Sequence, residues 1–404
     1  MWGVTPDVSH TSCDLDDFDQ SLVPPILLAF DSMSPLSDYA KVAWKSIKRT
    51  PITRRLPGLV NWAPMESPME GYTVVIAAMH RLWPVVVANL KLISKMRRSS
   101  MHEVIVVVDV DEAGLPELLR HAIDRLREAG LPIRMLHYSD AQLRVARSIQ
   151  WGWVYSWMSW SIGIGAAETK RVILHDLDAL PIDEGLFERL YAAAEKTGSQ
   201  FQGIRAYRAN GVTAEMNLVT TFELVLDAEW VRANAEPHEG FNQATVVDGR
   251  YVDFDTWLAV QHRSPVRTLE PVSADALVHP SQLICQFTDH VAGRGGRTSP
   301  TNRLPILAYF VHLGDPDFSL GDLAFAIADS RTRSATMWGR ETDIGSIPAE
   351  GWAWMEKQIR RLEQHLYGAT RPEIEDYLEG FKRRAGDKRT VGVEILAEGG
   401  VEDR

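Results

Sequence analysis

The sequence predicts an α/β fold, with a mostly parallel sheet, helices on both of its faces, and extensions at both ends of the chain. Between residues 72 and 176, short runs of β-branched and apolar residues alternate with longer segments typical of helices. Parallel strands need crossover connections, and helices in those connections cover both faces of the sheet. Hydrophobic residues make up 45% of the 404 residues, which is enough for a large core.

Four short runs rich in β-branched and apolar residues predict the parallel strands, because a strand that is covered on both faces lacks polar alternation. These strands are Thr73–Met79, His102–Asp109, Ile133–Tyr138 and Arg171–Asp176. Helices are predicted between them at Pro84–Lys95, Pro116–Ala129 and Trp153–Thr169. Further along we expect the helices Glu184–Lys196 and Thr256–Gln261, the strands Phe201–Tyr207, Leu218–Leu226 and Leu304–Val311, and two helical segments between Trp352 and Lys382.

Composition excludes several classes of protein. The chain has 43 Lys and Arg against 54 Asp and Glu, a net charge of −11, which argues against a protein that binds nucleic acid through a basic face. The two cysteines, Cys13 and Cys285, cannot form a disulfide framework or a cysteine zinc site. No apolar run reaches the roughly 20 residues of a transmembrane helix, and we expect a cytoplasmic protein.

The sharpest chemical signal is a pair of carboxylates, Asp176 and Asp178, at the end of the fourth predicted strand. Ligands of parallel sheets collect at the carboxyl ends of the strands. Two acids spaced in this way can point to the same side, where a divalent cation such as Mn²⁺ or Mg²⁺ would offset their repulsion. The alternative is that these acids only cap the next helix, with Pro181 following them.

The segment Val172–Pro181 resembles the strand and D-x-D motif of the GT-A nucleotide-sugar glycosyltransferases, a Rossmann-like family. In that family the motif holds the metal that bridges the diphosphate of the sugar donor. The resemblance therefore implies that Asp176 and Asp178 are metal ligands, and that Asp176 and Leu177 contact the nucleotide.

The first two predicted strands resemble the same family. Val74–Arg81 is similar to its V-V-I-P-x-Y-N-R strand and loop, which implies that Ala77, Met79, His80 and Arg81 contact the nucleotide. Ala77 stands where the family has proline, and His80 where it has asparagine. Val106–Asp109 is similar to its second strand, whose last acid binds the base, so Asp109 is the implied base contact. The Asp-Gly-Ser continuation is absent, which leaves the identity of the base open.

The segment Val252–Leu258 resembles the family's E-D-x-D-L-W-L motif, in which the second acid is the general base of inverting members. This places the base at Asp253, with Asp255 as the competing candidate and a plausible helix N-cap. A base is needed because a sugar hydroxyl is a poor nucleophile until its proton is taken. It is also possible that both acids merely start a helix.

The segment Ala308–Gly314 resembles the late strand that carries the third metal ligand of metal-dependent members, which implies His312 as that ligand. The glycine-rich loop before it offers Arg294, Arg297 and Arg303 as a lid over the donor, or else is a solvated loop without a role. His279 precedes an apolar stretch, and its spacing assigns it no role.

Together these resemblances divide the chain into an N-terminal extension (1–70), a GT-A catalytic domain (71–325) and a C-terminal helical extension (326–404). They predict an enzyme that moves a sugar from a nucleoside-diphosphate sugar, expected to be a UDP sugar, to a hydroxyl acceptor. The reaction is expected to invert the anomeric centre of the sugar. Retention of that configuration stays open if Asp253 is not the base.

Three other functions fit the sequence less well. A haloacid-dehalogenase phosphatase would carry its D-x-D on the first strand, whereas three strands precede it here. A nucleotidylyltransferase would have a glycine-rich, basic loop after its first strand, and residues 78–83 contain no glycine. A non-catalytic sugar-nucleotide-binding module predicts the loss of a ligand or base, and the expected acids are all present.

Overall fold

The computed structural model of the chain describes residues 35–293, 302–321, 323, 334–345 and 347–385. Within these residues the central sheet has seven strands in the order β10-β6-β7-β4-β1-β2-β3. Strands β1 to β4 are parallel to one another, and β7 runs antiparallel to both β4 and β6. Helices cover both faces of this sheet, so the predicted fold class is confirmed.

The strands of the central sheet are β1 (Met69–Ala78), β2 (Met101–Val108), β3 (Ile133–His137), β4 (Thr169–His175), β6 (Phe201–Gly203), β7 (Glu223–Asp227) and β10 (Arg267–Leu269). Three antiparallel pairs lie outside it: β5 (Leu180–Pro181) with β11 (Leu277–Val278), β8 (Gln243–Val247) with β9 (Arg250–Phe254), and β12 (Ser334–Met337) with β13 (Arg340–Asp343).

The helices of the described residues are α1 (Pro35–Thr53), α2 (Trp83–Lys95), α3 (Glu117–Glu128), α4 (Asp140–Ile149), α5 (Gly152–Ala166), α6 (Leu186–Thr197), α7 (Ala228–Asn234), α8 (Leu258–Arg263), α9 (Leu283–Val291), α10 (Leu304–Gly314), α11 (Ala349–Tyr367) and α12 (Pro372–Ala385).

Strand register brings the ends of three strands to one edge of the sheet. In β1, Ile76 pairs with His175 of β4, and Ala78 pairs with Val108 of β2. The residues that follow these strands therefore lie side by side, although about a hundred residues of chain separate the first from the last. This is the edge at which parallel α/β sheets bind their ligands.

Alternate residues of each strand enter two separate cores, as the two-residue period of a strand requires. Val74 and Ile76 of β1 face a core that also contains α2, α10 and α11. Val75 of β1 and Leu174 of β4 face a second core that contains α5. Strands of this kind must be apolar on both faces, which is why their sequences predicted them correctly.

Helix α10 corrects a prediction, because the sequence favoured a strand over Leu304–Val311 and the chain forms a helix there. Every residue from Leu304 to Val311 is buried, so the run shows no helical periodicity. An apolar run of this length can form either structure, and Pro305 in its first turn is the local sign of a helix.

Other predicted elements are present with altered bounds. The strand expected over Leu218–Leu226 is β7 (Glu223–Asp227), and the one expected over Phe201–Tyr207 is the three-residue β6. The two C-terminal helical segments are α11 and α12, and the first of them ends at its C-cap, Gly368. Both helices pack into the same core as α2, through Ile359 and Phe381 among others.

The described part of residues 1–70, the predicted N-terminal extension, has regular structure. It contains the helix α1, which packs on the hairpin of β8 and β9. The Tyr251 N–H donates to the Asp38 carboxylate of α1 over 3.1 Å. The extension is therefore attached to the same segment that carries the predicted general base.

The contact between α2 and α10 yields a test of this packing. A Cβ atom at Gly314 would overlap the carbonyl oxygen of Pro84 and lie 2.8 Å from its Cα. We expect Gly314→Ala to lower the free energy of unfolding by about 1–3 kcal/mol, as overpacking does, in thermal or urea denaturation. Gly351→Ala in α11 is the control, because its nearest neighbour would be an ordinary 3.6 Å away. Equal stability of both variants would contradict the close approach of the two helices.

Candidate metal and nucleotide site

Asp176, Asp178 and His279 form the candidate metal centre. Among the described residues they are the one group of three or more acidic, histidine or cysteine side chains whose ligand atoms all lie within 4.8 Å of one another. His279 Nε2 lies 3.6 Å from Asp176 Oδ2 and 3.7 Å from Asp178 Oδ1. Two carboxylate oxygens and an imidazole nitrogen are a suitable donor set for a divalent cation such as Mn²⁺.

Two local structures hold His279 opposite the acids. The short strand β11, which ends one residue before His279, pairs with β5, which begins two residues after Asp178. The ring of Phe222 stacks on the imidazole of His279, with centroids 4.1 Å apart and planes 15° apart. The imidazole is thereby fixed in position and orientation, although it comes from a distant part of the sequence.

The electrostatics of the group reflect charges held close together in a buried place. Asp178 is 4% exposed, and burial raises its pKa to about 6, helped by the Asp176 charge and opposed by His279. Burial by itself would lower the pKa of His279, but the nearby carboxylates of Asp176 and Asp178 raise it overall. The site therefore favours a positive charge between the carboxylates, which a proton or a metal cation can supply.

The predicted nucleotide-contacting residues lie at the neighbouring strand ends. Both the main-chain N–H and Nδ1 of His80 contact Asp109 Oδ1, at 2.7 and 2.9 Å. His80 and Asp109, which were predicted from two different motifs, thus link the ends of β1 and β2. Burial and the Asp109 charge raise the pKa of Tyr155 in α5 to about 12.

The remaining residues of this prediction are placed differently. Arg81 is exposed, whereas Ala77 and Met79 are half-buried, with Met79 packed on the apolar core. Leu177 is 5% exposed and its side chain belongs to that core. Leu177 can therefore contact a ligand only through its main chain.

Asp253, the predicted general base, is held in an ion pair. Arg49 of α1 donates to both of its oxygens, Nη1 to Oδ1 at 2.5 Å and Nη2 to Oδ2 at 2.9 Å. Lys45 Nζ lies 3.7 Å from Oδ2, and the Tyr251 hydroxyl donates to the same oxygen at 3.3 Å. Both oxygens of the Asp253 carboxylate are therefore already engaged by hydrogen bonds from the protein.

Asp255, the competing candidate, has a different environment. Asn242 Nδ2 and the Thr256 N–H donate to its Oδ1 at 2.9 and 2.7 Å. Burial raises its pKa above the usual range of an aspartate. A general base works best when its pKa approaches the working pH, so this environment favours Asp255 over Asp253.

His312 is not part of the metal group, which corrects its assignment as the third ligand. It lies near the end of the helix α10, and its Nδ1 contacts the Phe318 carbonyl oxygen at 2.9 Å. The prediction depended on a strand ending beside the acids, and the helix places the imidazole elsewhere. His279 occupies the position that His312 was expected to fill.

Of the predicted lid arginines, Arg294 and Arg297 lie outside the described residues. Arg303 donates from Nη1 to the Ser281 carbonyl oxygen at 2.9 Å, and its guanidinium lies 5.2 Å from the centroid of the Trp354 ring. It is therefore tied to the segment that follows His279. A role for these arginines as a lid remains a prediction.

Comparisons with known proteins give likenesses to solved structures only. No protein-family model matches the chain, and no curated protein matches it. It is similar to TarS 1–349 from S. aureus, with 12% identity and a TM-score of 0.36 over 78% of this chain and 90% of that one. It is also similar to the mannosyltransferase PcManGT from Pyrobaculum calidifontis, solved with GDP-Man and Mn²⁺, with 14% identity and a TM-score of 0.34 over 87% and 97%.

A third similar structure is 4-diphosphocytidyl-2C-methyl-D-erythritol synthase from Anaerococcus prevotii, with 16% identity and a TM-score of 0.32 over 56% of this chain and 97% of that one. TM-scores this low carry no functional argument, so the function of this protein is inferred from its own side chains. Among the described helices, none has both the length and the apolar character needed to cross a membrane.

Proposed function

We propose that the protein is a metal-dependent glycosyltransferase, which moves a sugar from a nucleoside-diphosphate sugar to a hydroxyl acceptor. The observation that carries the proposal is the convergence of Asp176, Asp178 and His279 at the sheet edge where His80 and Asp109 also meet. A metal site beside polar residues at the ends of parallel strands is suited to a ligand that carries a diphosphate, because a bound cation offsets the phosphate charge.

The three ligands would hold Mn²⁺ or Mg²⁺, which when bound would supply charge that offsets the departing diphosphate, an effect worth several kcal/mol. The imidazole favours Mn²⁺, because Mg²⁺ is held in proteins mainly by oxygen ligands. Asp109 and His80 would orient the nucleotide, for which we propose UDP.

The acceptor hydroxyl needs a base, and we propose Asp255 for it in preference to Asp253. Its hydrogen bonds described above end on Oδ1, so Oδ2 would accept the proton of the hydroxyl. The acceptor oxygen then bonds to the anomeric carbon as the bond from that carbon to the diphosphate oxygen breaks. The electron pair leaves on the diphosphate, and attack from the opposite side inverts the anomeric centre.

Assay of the purified protein with UDP-, GDP- and dTDP-sugars tests the proposal. With Mn²⁺ present we expect release of one nucleoside diphosphate, slow with water and faster with an acceptor alcohol. Removal of divalent cations with EDTA should stop the release, and added Mn²⁺ should restore it. A protein that neither consumes nor binds any of these sugars, but hydrolyses p-nitrophenyl phosphate, would be a phosphatase instead.

A further inference from the structure

A buried polar network lies directly beneath the candidate metal centre. Asn89 of α2 is 0% exposed, and so are His175, the last residue of β4, and Glu223, the first residue of β7. A buried asparagine without hydrogen bonds would cost stability. Asn89 lies on the buried side of α2, which is otherwise apolar. Its amide group therefore needs hydrogen-bond partners within the protein.

Those partners are the main-chain carbonyls of the D-x-D turn. Asn89 Nδ2 lies 3.0 Å from the carbonyl oxygens of Leu177 and Ala179 and 3.3 Å from that of Asp176. One amide group thus faces three carbonyls of a four-residue stretch. Because these carbonyls turn inward to Asn89, the stretch is fixed in one conformation, with Asp176 and Asp178 facing His279.

The orientation of the Asn89 amide is fixed from its other end. Since Nδ2 must donate to carbonyls, Oδ1 is the acceptor, and it receives a hydrogen bond from His175 Nε2 at 3.0 Å. The other ring nitrogen of His175, Nδ1, lies 2.6 Å from Glu223 Oε2. The network therefore connects α2, β4 and β7 and leaves the amide no alternative orientation.

The chain just before β7 also contacts His279, the third candidate ligand of the metal group. Phe222, the residue before Glu223, accepts the Asp176 N–H on its carbonyl oxygen at 3.0 Å, and its ring stacks on His279. Asn89 thus holds the two acids from below, and Phe222 connects one of them to the imidazole. Neither residue supplies a ligand atom to the group described above.

We infer that Asn89 and Phe222 are positioning residues of the metal centre, which set the distance between the carboxylates and the imidazole. This inference rests on the proposed function. Partners behind metal ligands commonly change metal affinity by about 10–100-fold when they are lost. Leucine at position 89 would keep the branching and the number of heavy atoms of the side chain but leave the turn carbonyls without their donor.

Titration of the full chain with Mn²⁺ tests this inference. The electron paramagnetic resonance signal of free Mn²⁺ reports the bound fraction, and it is measured with and without UDP. We expect Asn89→Leu to weaken Mn²⁺ binding by about 10-fold or more, and Phe222→Leu to weaken it to a smaller extent. Leu90→Ala is the matched control, because Leu90 is equally buried on the same helix and has no polar group. It should lower the melting temperature and leave the affinity within about twofold.

A positioning role also predicts how activity responds. The Asn89→Leu enzyme should need more Mn²⁺ to reach half-maximal donor hydrolysis, and saturating Mn²⁺ should restore much of its rate. Unchanged affinity in the folded Asn89→Leu protein, or an equal loss in Leu90→Ala, would overturn the inference and leave the proposed function intact. If Asn89→Leu does not fold, the Phe222→Leu result decides. If the wild-type chain itself binds no Mn²⁺, the inference and the proposed function both fail.

Discussion

Replacement of His279 by alanine is expected to weaken Mn²⁺ binding by at least about 100-fold, the upper end of the loss caused by changes behind a metal ligand. The same replacement at His312 should leave binding within about twofold. His279 Nε2 lies within 3.7 Å of both carboxylates, whereas His312 contacts the Phe318 carbonyl. Titration of each purified variant with Mn²⁺, by calorimetry or by the resonance signal of the free ion, measures both affinities.

The paired design separates the imidazole that lies beside the acids in the structure, His279, from the one that the sequence predicted as third ligand, His312. Metal-dependent donor hydrolysis should fall with affinity in His279→Ala and stay near the wild-type rate in His312→Ala. Circular dichroism and melting temperature establish that each variant is folded. The opposite pattern, with His312 required and His279 dispensable, would show that the bound state differs from the geometry described here.

The second large effect is expected at Asp255. Loss of a general base commonly costs a factor of about 10²–10⁴ in rate, so Asp255→Asn should reduce sugar transfer by that amount while nucleotide and Mn²⁺ binding persist. Asparagine retains an oxygen that can accept from Asn242 and Thr256, so the local hydrogen bonds are kept. Initial rates of transfer, together with calorimetric titration of UDP, measure the two effects separately.

The pH dependence follows from the same carboxyl group. Because burial raises the pKa of Asp255, the wild-type transfer rate should rise with pH through a pKa above the usual aspartate range. The folded protein also keeps this proton to higher pH than the unfolded chain, so the contribution of Asp255 to stability falls as pH rises through that interval. Asp255→Asn should therefore melt at the same temperature as wild type or higher at neutral pH, and its residual rate should lack this pH dependence.

Asp253→Asn is the informative comparison, because its expected damage is to stability. Arg49 is 3% exposed and donates to both oxygens of Asp253, so the substitution leaves a buried guanidinium partly unpaired. Breaking a buried pair in this way costs about 3–5 kcal/mol, which denaturant titration will detect. A stable Asp253→Asn protein that has lost transfer, beside an active Asp255→Asn protein, would return the base to Asp253.

The sequence predicted what depends on continuous patterns. The apolar runs that end at Val108 and His175 identified β2 and β4, and the rule that ligands meet at strand ends then placed Asp109, Asp176 and Asp178 at one edge. His80 was predicted through its motif, and its contact with Asp109 follows from the pairing of β1 with β2. These strands and the residues at their ends can be predicted without knowledge of tertiary contacts, apart from the order of the parallel strands.

The parts that were missed depend on tertiary contacts between distant segments. His279 follows the two-residue strand β11, which is too short to show a period, and its partners lie about a hundred residues earlier. The ion pair of Arg49 with Asp253 spans 204 positions, and no local pattern indicates it. In α10 the burial of a helix on all sides removed the periodicity that would have distinguished it from a strand.

The distance in sequence between His279 and the D-x-D turn has a consequence for biosynthesis. The last strand of the central sheet, β10, ends at Leu269, so a growing polypeptide contains the whole sheet before it contains the imidazole. Ribosomes add about 5–20 residues per second, which leaves an interval of several seconds between the two acids and their third partner. During that interval the strands β6, β7 and β10 are synthesised while the cation site is still incomplete.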